Sequence, residues 1–189
     1  IAPTGTGKTL SPLGLAGSHK IIFLCAARHV GLALAKSAIT SGKKIAFAFG
    51  CNDVSDIRLH YFAAKDYVKH NKTGKDIKYR DGTKKVDNTV GDNVEIMICD
   101  IKSYLCAMYY MMAFNKPNEM IMYWDEPTIT MDYEEHEFHK YISDIWQQNV
   151  IPNIILSSAT LPHQEDLQET IADFTARFDE SRIYNIVSH

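Results

Sequence analysis

Three short stretches of this chain combine residue types that handle phosphate. Residues 2–9 read APTGTGKT. Gly5 and Gly7 free the backbone to turn so that successive N–H groups point inward, and a helix opening directly after them offers its N-terminus to the same charge. Pro3, Thr4, Gly5, Thr6, Gly7, Lys8 and Thr9 would then cradle a polyphosphate, with Lys8 reaching the β and γ phosphates and the Thr9 hydroxyl coordinating magnesium. Much later the apolar run Met120 to Trp124 delivers Asp125 and Glu126. Asp125 would complete the magnesium site, and Glu126 would orient and deprotonate an attacking water. Hydrolysis needs such a carboxylate, one the metal does not consume, whereas a kinase acting on a small molecule does not. The third stretch is Ser158, Ala159 and Thr160 in SSATLP. Its hydroxyls could hydrogen-bond back to the acidic pair and sense the γ-phosphate; the plainer alternative is an N-cap for the helix expected next.

These residues need a scaffold that presents them at one edge. Short apolar runs alternate with helix-period segments along the chain, the pattern of an α/β fold whose mostly parallel sheet carries helices on both faces. The expected strands are KIIFLCA, KIAFAFG, VEIMICD, EMIMYWD and NIILSSA, each short and continuously hydrophobic. Helices are expected over residues 30–39, 56–68, 101–114, 133–148 and 163–178, and RIYNIV near the end reads as a closing strand or a linker. In open sheets of this kind ligands bind beyond the carboxyl ends of the strands, which is where Asp125 and Glu126 fall.

The three motifs in this order resemble motifs I, II and III of superfamily two helicases, the group that includes DEAD-box and DEAH-type proteins. The resemblance covers nearly the whole chain and implies a RecA-like P-loop domain over residues 1–189, the first of two in a motor. Implied with it are ATP and Mg2+ as cofactors, nucleic acid as partner, and a second RecA-like domain of the same parent chain supplying arginine fingers across a cleft. Since only Ile1 precedes the loop, where a strand is normal, the chain is expected to be a piece of something longer, binding nucleotide but hydrolysing it slowly without those fingers. Arg28, in AARHVGLALA, matches the basic residue of motif Ia, which touches the nucleic-acid backbone. Asp100, Lys102 and Ser103 stand where the family has threonine, proline and glycine, and Pro127 and Thr128 fill the last two places of the acidic box, matching neither DEAD nor DEAH. The implied activity is an ATP-dependent helicase or translocase. A remodeller or double-strand DNA translocase that never separates strands is the alternative.

Composition sets outer limits. The 189 residues are 46% hydrophobic and 23% charged, enough for one domain with a sizeable core. A net charge of -3 gives no whole-chain attraction to nucleic acid, so binding would need a local patch. Lys65 to Lys85 is one candidate, with eight Lys or Arg against three Asp, an excess of five positive charges; a solvated insertion is the alternative. Cys25, Cys51, Cys99 and Cys106 form no CxxC pair and read as reduced core thiols. With no secretory leader and no apolar run of membrane length, the sequence predicts an intracellular protein, cytoplasmic or nuclear, with no membrane partner. NKPN at Asn115 superficially suggests guanine reading, but Asn118 replaces the aspartate and the motif precedes the acidic box, which argues against a GTPase. His136 and His139 in EEHEFH lack HExxH spacing and read as a solvated helix face. Tyr109, Tyr110, Met111 and Met112 read as a core helix and not as a base-stacking platform. A non-catalytic binding module is disfavoured by the intact Lys8, Thr9, Asp125 and Glu126.

Overall fold

A computed structural model describes residues 7–64 and 86–187. Pro3, Thr4, Gly5 and Thr6 of the expected phosphate cradle, and the basic stretch from Lys65 to Lys85, lie outside the described residues. The chain is α/β, with a sheet of six strands in the order β3-β2-β4-β1-β5-β6 among the described residues. These strands are β1 (Lys20–Cys25), β2 (Ile45–Ala48), β3 (Arg58–Leu59), β4 (Ile96–Asp100), β5 (Met120–Asp125) and β6 (Asn153–Ser157). All adjacent pairs are parallel except β2 with β3.

The central strands are apolar on both sides because both sides are covered. Ile22, Leu24, Met97, Cys99, Met122 and Trp124 join one buried cluster, while Ile21, Phe23, Ile96, Ile98, Ile121 and Tyr123 join the other. Helices α3 (Tyr104–Met112) and α4 (Glu137–Gln148) cover the first face; α1 (Ser11–Leu15) and α2 (Arg28–Thr40) cover the second. The spacing in α2 shows why it docks as a helix: Gly31, Leu34, Ala35 and Ala38 are buried on one stripe. Gly31 permits a close approach, since a Cβ there would lie 2.8 Å from Ile98 Cγ2 and 2.9 Å from the Phe49 ring. In α4, Phe138, Tyr141, Ile142 and Ile145 make the equivalent stripe. A last helix, α5 (Gln168–Arg177), follows β6.

Register matters more to function than the layers do. Cys25 is level with Asp100 on one side and Asp125 on the other, and Asp125 is level with Ser157. The carboxyl ends of β4, β1, β5 and β6 therefore form one straight row.

Several expectations are corrected. No helix spans the described part of 56–68: Val54–Asp56 and Tyr61–Ala63 are single 3-10 turns, with β3 between them. Asp53 and Asp56 close a reciprocal cap on the first turn, and the chain then alternates, Ile57 and Leu59 buried and Arg58 exposed, which is the period of a strand. The helix expected from Tyr133 begins at Glu137, where the His136 side chain caps it. Residues 182–187 form neither helix nor strand and do not join the sheet. Tyr110 and Met111 are buried as expected, but Tyr109 faces outward at 51% exposure. Trp124 is buried and all four cysteines are free thiols. Burial pushes the Cys25 thiol up to about 12, and the Cys51, Cys99 and Cys106 thiols are also raised by burial. Among the described residues no helix is long and apolar enough to cross a membrane.

Candidate functional site

At the carboxyl end of β5 two acids diverge. Strand alternation gives Asp125 the same face as Tyr123, toward α1, and leaves it 6% exposed. Burial raises its carboxyl above the ordinary value of 3.8, the neighbouring Glu126 charge adds to the rise, and the Ser157 hydroxyl and then Lys8 oppose it. Glu126 continues the ladder by one bond, its N–H donating to Ser157 O at 2.7 Å, and then turns with φ at 52°. A left-handed conformation is uncommon for a residue with a side chain, and Pro127 after it disfavours the right-handed helical alternative. The turn swings the Glu126 carboxylate away from the sheet and into contact with two other motifs.

The first contact is Lys8. Gly7 takes φ of 82°, which suits glycine, and its carbonyl accepts from the Leu10 N–H at 2.8 Å to start the short turn Lys8–Leu10. Tyr123 Oη donates to the Lys8 carbonyl at 2.8 Å, pinning this turn to β5 two residues before Asp125. Lys8 Nζ then lies 3.6 Å from Glu126 Oε1. Thr9 sits half-buried in the same turn.

The second contact is the hydroxyl cluster beyond β6. Ser158 Oγ, fully buried, donates to Glu126 Oε2 at 2.6 Å and accepts the Thr160 N–H at 3.1 Å. Thr128 Oγ1 lies 3.2 Å from Thr160 Oγ1 and 3.5 Å from Ser158 Oγ, and Ser158 and Thr160 hydroxyls are 3.3 Å apart. Ala159, half-buried, joins the two hydroxyl residues without a polar side chain of its own.

The structure thus brings together Lys8, Thr9, Asp125, Glu126, Ser158 and Thr160. Arg28 is elsewhere: exposed at the start of α2, its guanidinium lies 4.8 Å from the Phe49 ring centroid, on the β2 side with β4 and β1 between it and β5. Near it Asp100 accepts from the Gly50 N–H at 2.8 Å and the Ser103 N–H at 2.9 Å, tying the loop after β2 to the end of β4. Lys102 pairs with Glu137 at 2.8 Å. His136 and His139 are not a bare solvated face: His136 Nδ1 accepts the Phe138 N–H, and His139 Nε2 sits 2.9 Å from Thr130 O. Among the described residues no cluster of three or more His, Cys, Asp or Glu could hold a metal.

Two site residues were not singled out by the sequence reading. Tyr123 carried a usable signal, since a residue two before Asp125 on a strand must share its face. Thr128 carried only its place in the acidic box. A cavity of about 410 Å³ near Ser18, His19, Glu95 and Glu119 opens at the amino ends of β1 and β5, away from this group and on the wrong edge for a ligand of a parallel sheet.

Compared with protein-family models and with curated protein sequences, the chain matches none.

Proposed function

We propose that this chain is a RecA-like P-loop motor domain, an ATP-dependent helicase or translocase acting on nucleic acid. The observation that carries the reading is the position of Glu126, 3.6 Å from Lys8 and 2.6 Å from Ser158, beside the buried Asp125. One carboxyl faces inward and one faces the lysine of the phosphate motif, a division of labour that suits nucleotide hydrolysis. The left-handed backbone at Glu126 supports it too, because strain of this kind collects where a side chain must be aimed.

The residues present fit a magnesium ion. Asp125 and Thr9 offer hard oxygen donors, and the Tyr123 bond to Lys8 O ties their two segments together. Asp125 is 6% exposed; burial first and the Glu126 charge second raise its carboxyl, with the Ser157 hydroxyl and Lys8 opposing. When bound, the ion would neutralise charge on the phosphates. Lys8 would hold the terminal phosphates, while Glu126 would orient the attacking water and take its proton. Ser158 fixes one Glu126 oxygen and leaves the other toward Lys8. Arg28, exposed on the far side of β1, would meet the nucleic-acid backbone apart from the nucleotide.

ATP hydrolysis by this domain joined to the second RecA-like domain that the reading implies, with single-stranded RNA, single-stranded DNA and duplex DNA added in turn, tests the reading. Stimulation by one of them is expected. Hydrolysis indifferent to all three would instead favour an ATPase with a protein partner, and duplex-only stimulation would favour the non-separating translocase.

A further inference from the structure

The sheet sorts the four thiols into unlike pairs. Cys25 and Cys99 sit on neighbouring strands, and the Cys25 thiol donates to Cys99 O at 3.6 Å. Register nevertheless separates them. Cys99 is level with Leu24, so the Cys25 and Cys99 side chains leave opposite faces and join different buried clusters. Cys51 and Cys106 share one cluster instead. Cys51 follows β2 just after Gly50 turns with φ at 64°, and the start of α3 holds its main chain from both sides. Its N–H donates to Ser103 Oγ at 2.9 Å, and its carbonyl accepts from the Cys106 thiol at 3.9 Å. Ser103 directly precedes α3 and Cys106 lies one turn on, on the same face. The Cys51 backbone is thus clamped onto one helical turn, and its thiol is close enough to feel charge on Cys106. Access differs between the two, with Cys51 5% exposed and Cys106 half-buried.

We propose that Cys51 and Cys106 are an oxidisable dithiol, a modification site at which a small neutral oxidant of the peroxide class closes a reversible disulfide between the loop after β2 and α3. Exposure sets the order of events. The Cys106 thiolate attacks one peroxide oxygen and the O–O bond breaks; the hydroxide released takes the proton that the thiol gave up, leaving a sulfenic acid and water. The Cys51 thiolate then attacks the Cys106 sulfur, the S–O bond breaks, and hydroxide leaves with the Cys51 proton as a second water. One peroxide gains two electrons and the sulfur pair loses two. Asp53 and Asp56 put negative charge near Cys106, which disfavours anionic disulfides as oxidants and favours an uncharged one. The bond would close a ring of roughly 55 residues, long enough to remove much of the unfolded chain's freedom. It would also fix the chain two residues past Phe49, whose ring centroid lies 4.8 Å from the Arg28 guanidinium. None of this depends on the roles of Lys8 and Glu126.

The test treats the protein with hydrogen peroxide, blocks the remaining free thiols and maps the peptides by mass spectrometry. Tm is read before and after dithiothreitol, which separates the disulfide from oxidised methionine. The expected result is a Cys51–Cys106 link in the wild type and a Tm that falls by about 5 °C or more on reduction. In Cys51→Ser, Cys106 should gain oxygen instead, because its sulfenic acid has no second thiol to resolve it; Cys106→Ser should leave Cys51 reduced. A link through Cys25 or Cys99 overturns the proposal, as does oxygen accumulating on Cys106 of the wild type. Both thiols still free once peroxide has consumed free cysteine in the same tube also overturn it. So does a link that fails to raise Tm, since the bond would then form only in opened chain. The wild-type map decides the matter even where a variant does not fold.

Discussion

Asp125→Asn should stabilise the protein while destroying its response to magnesium and nucleotide. The wild-type carboxyl is 6% exposed, and its ionised form is disfavoured first by burial and then by the charge of Glu126. Asparagine has nearly the same shape and no charge to desolvate. The sign follows from linkage: a carboxyl raised in the folded state binds its proton more tightly there, so the stability it gives at low pH is lost as pH rises from 3.8 through the folded value. At pH 7 the wild type bears this cost and the variant does not. A gain of about 1 kcal/mol is reasonable for relieving such a site, or roughly 2–4 °C in Tm for a chain of this length. Thermal unfolding in chelator at several pH values measures it, and the gain should shrink as pH approaches 4. Adding Mg2+ and ATP should raise Tm for the wild type and leave the variant unmoved. A variant less stable than the wild type at pH 7 in chelator would refute the reasoning, because Asp125 would then be a paired structural acid and not a charge waiting for a cation.

Glu126→Gln should reduce ATP turnover by a factor of at least about 100 while preserving nucleotide affinity, the usual cost of removing a general base; normal turnover would remove Glu126 from that role. Lys8→Ala should weaken ATP binding itself, measured by titration, yet shift unfolding by under about 1 kcal/mol, since its pair with Glu126 is partly open to solvent at 14% and 37% exposure. Gly31→Ala should cost roughly 1–3 kcal/mol in denaturant unfolding, because its methyl would meet Ile98 and Phe49 inside contact distance. A neutral effect there would mean that α2 can lift from the sheet at no cost.

The strands were legible because burial on both faces writes itself as an unbroken apolar run, as in KIIFLC and MIMYWD. That Lys8, Glu126, Ser158 and Thr160 would gather at the strand ends was legible as well, since each stands next to the end of an expected strand or in the loop before the first. Distances were not. That Lys8 reaches Glu126 depends on a crossover order that sets β1 between β4 and β5, and on Tyr123 gripping Lys8 O, neither of which local sequence states. β3 escaped notice because two residues are too few to show a period, and the surrounding DIRLHYFAA also satisfies a helical pattern. His136 shows another limit: a capping histidine and a solvated one have the same neighbours in sequence, and only the Phe138 N–H tells them apart. Thr128 was readable as a departure from the acidic box, but its hydroxyl partners come from the far side of α4 and β6 in chain order.

The thiols have a practical corollary. Thiolate is the species that alkylating reagents attack, and burial holds all four cysteines toward the protonated form. Cys25, Cys51 and Cys99 are buried besides, which leaves half-buried Cys106 as the native thiol most open to maleimide. A single cysteine placed at exposed Met131, three residues beyond Thr128, would take a fluorophore ahead of the native thiols and report on the hydroxyl cluster from outside.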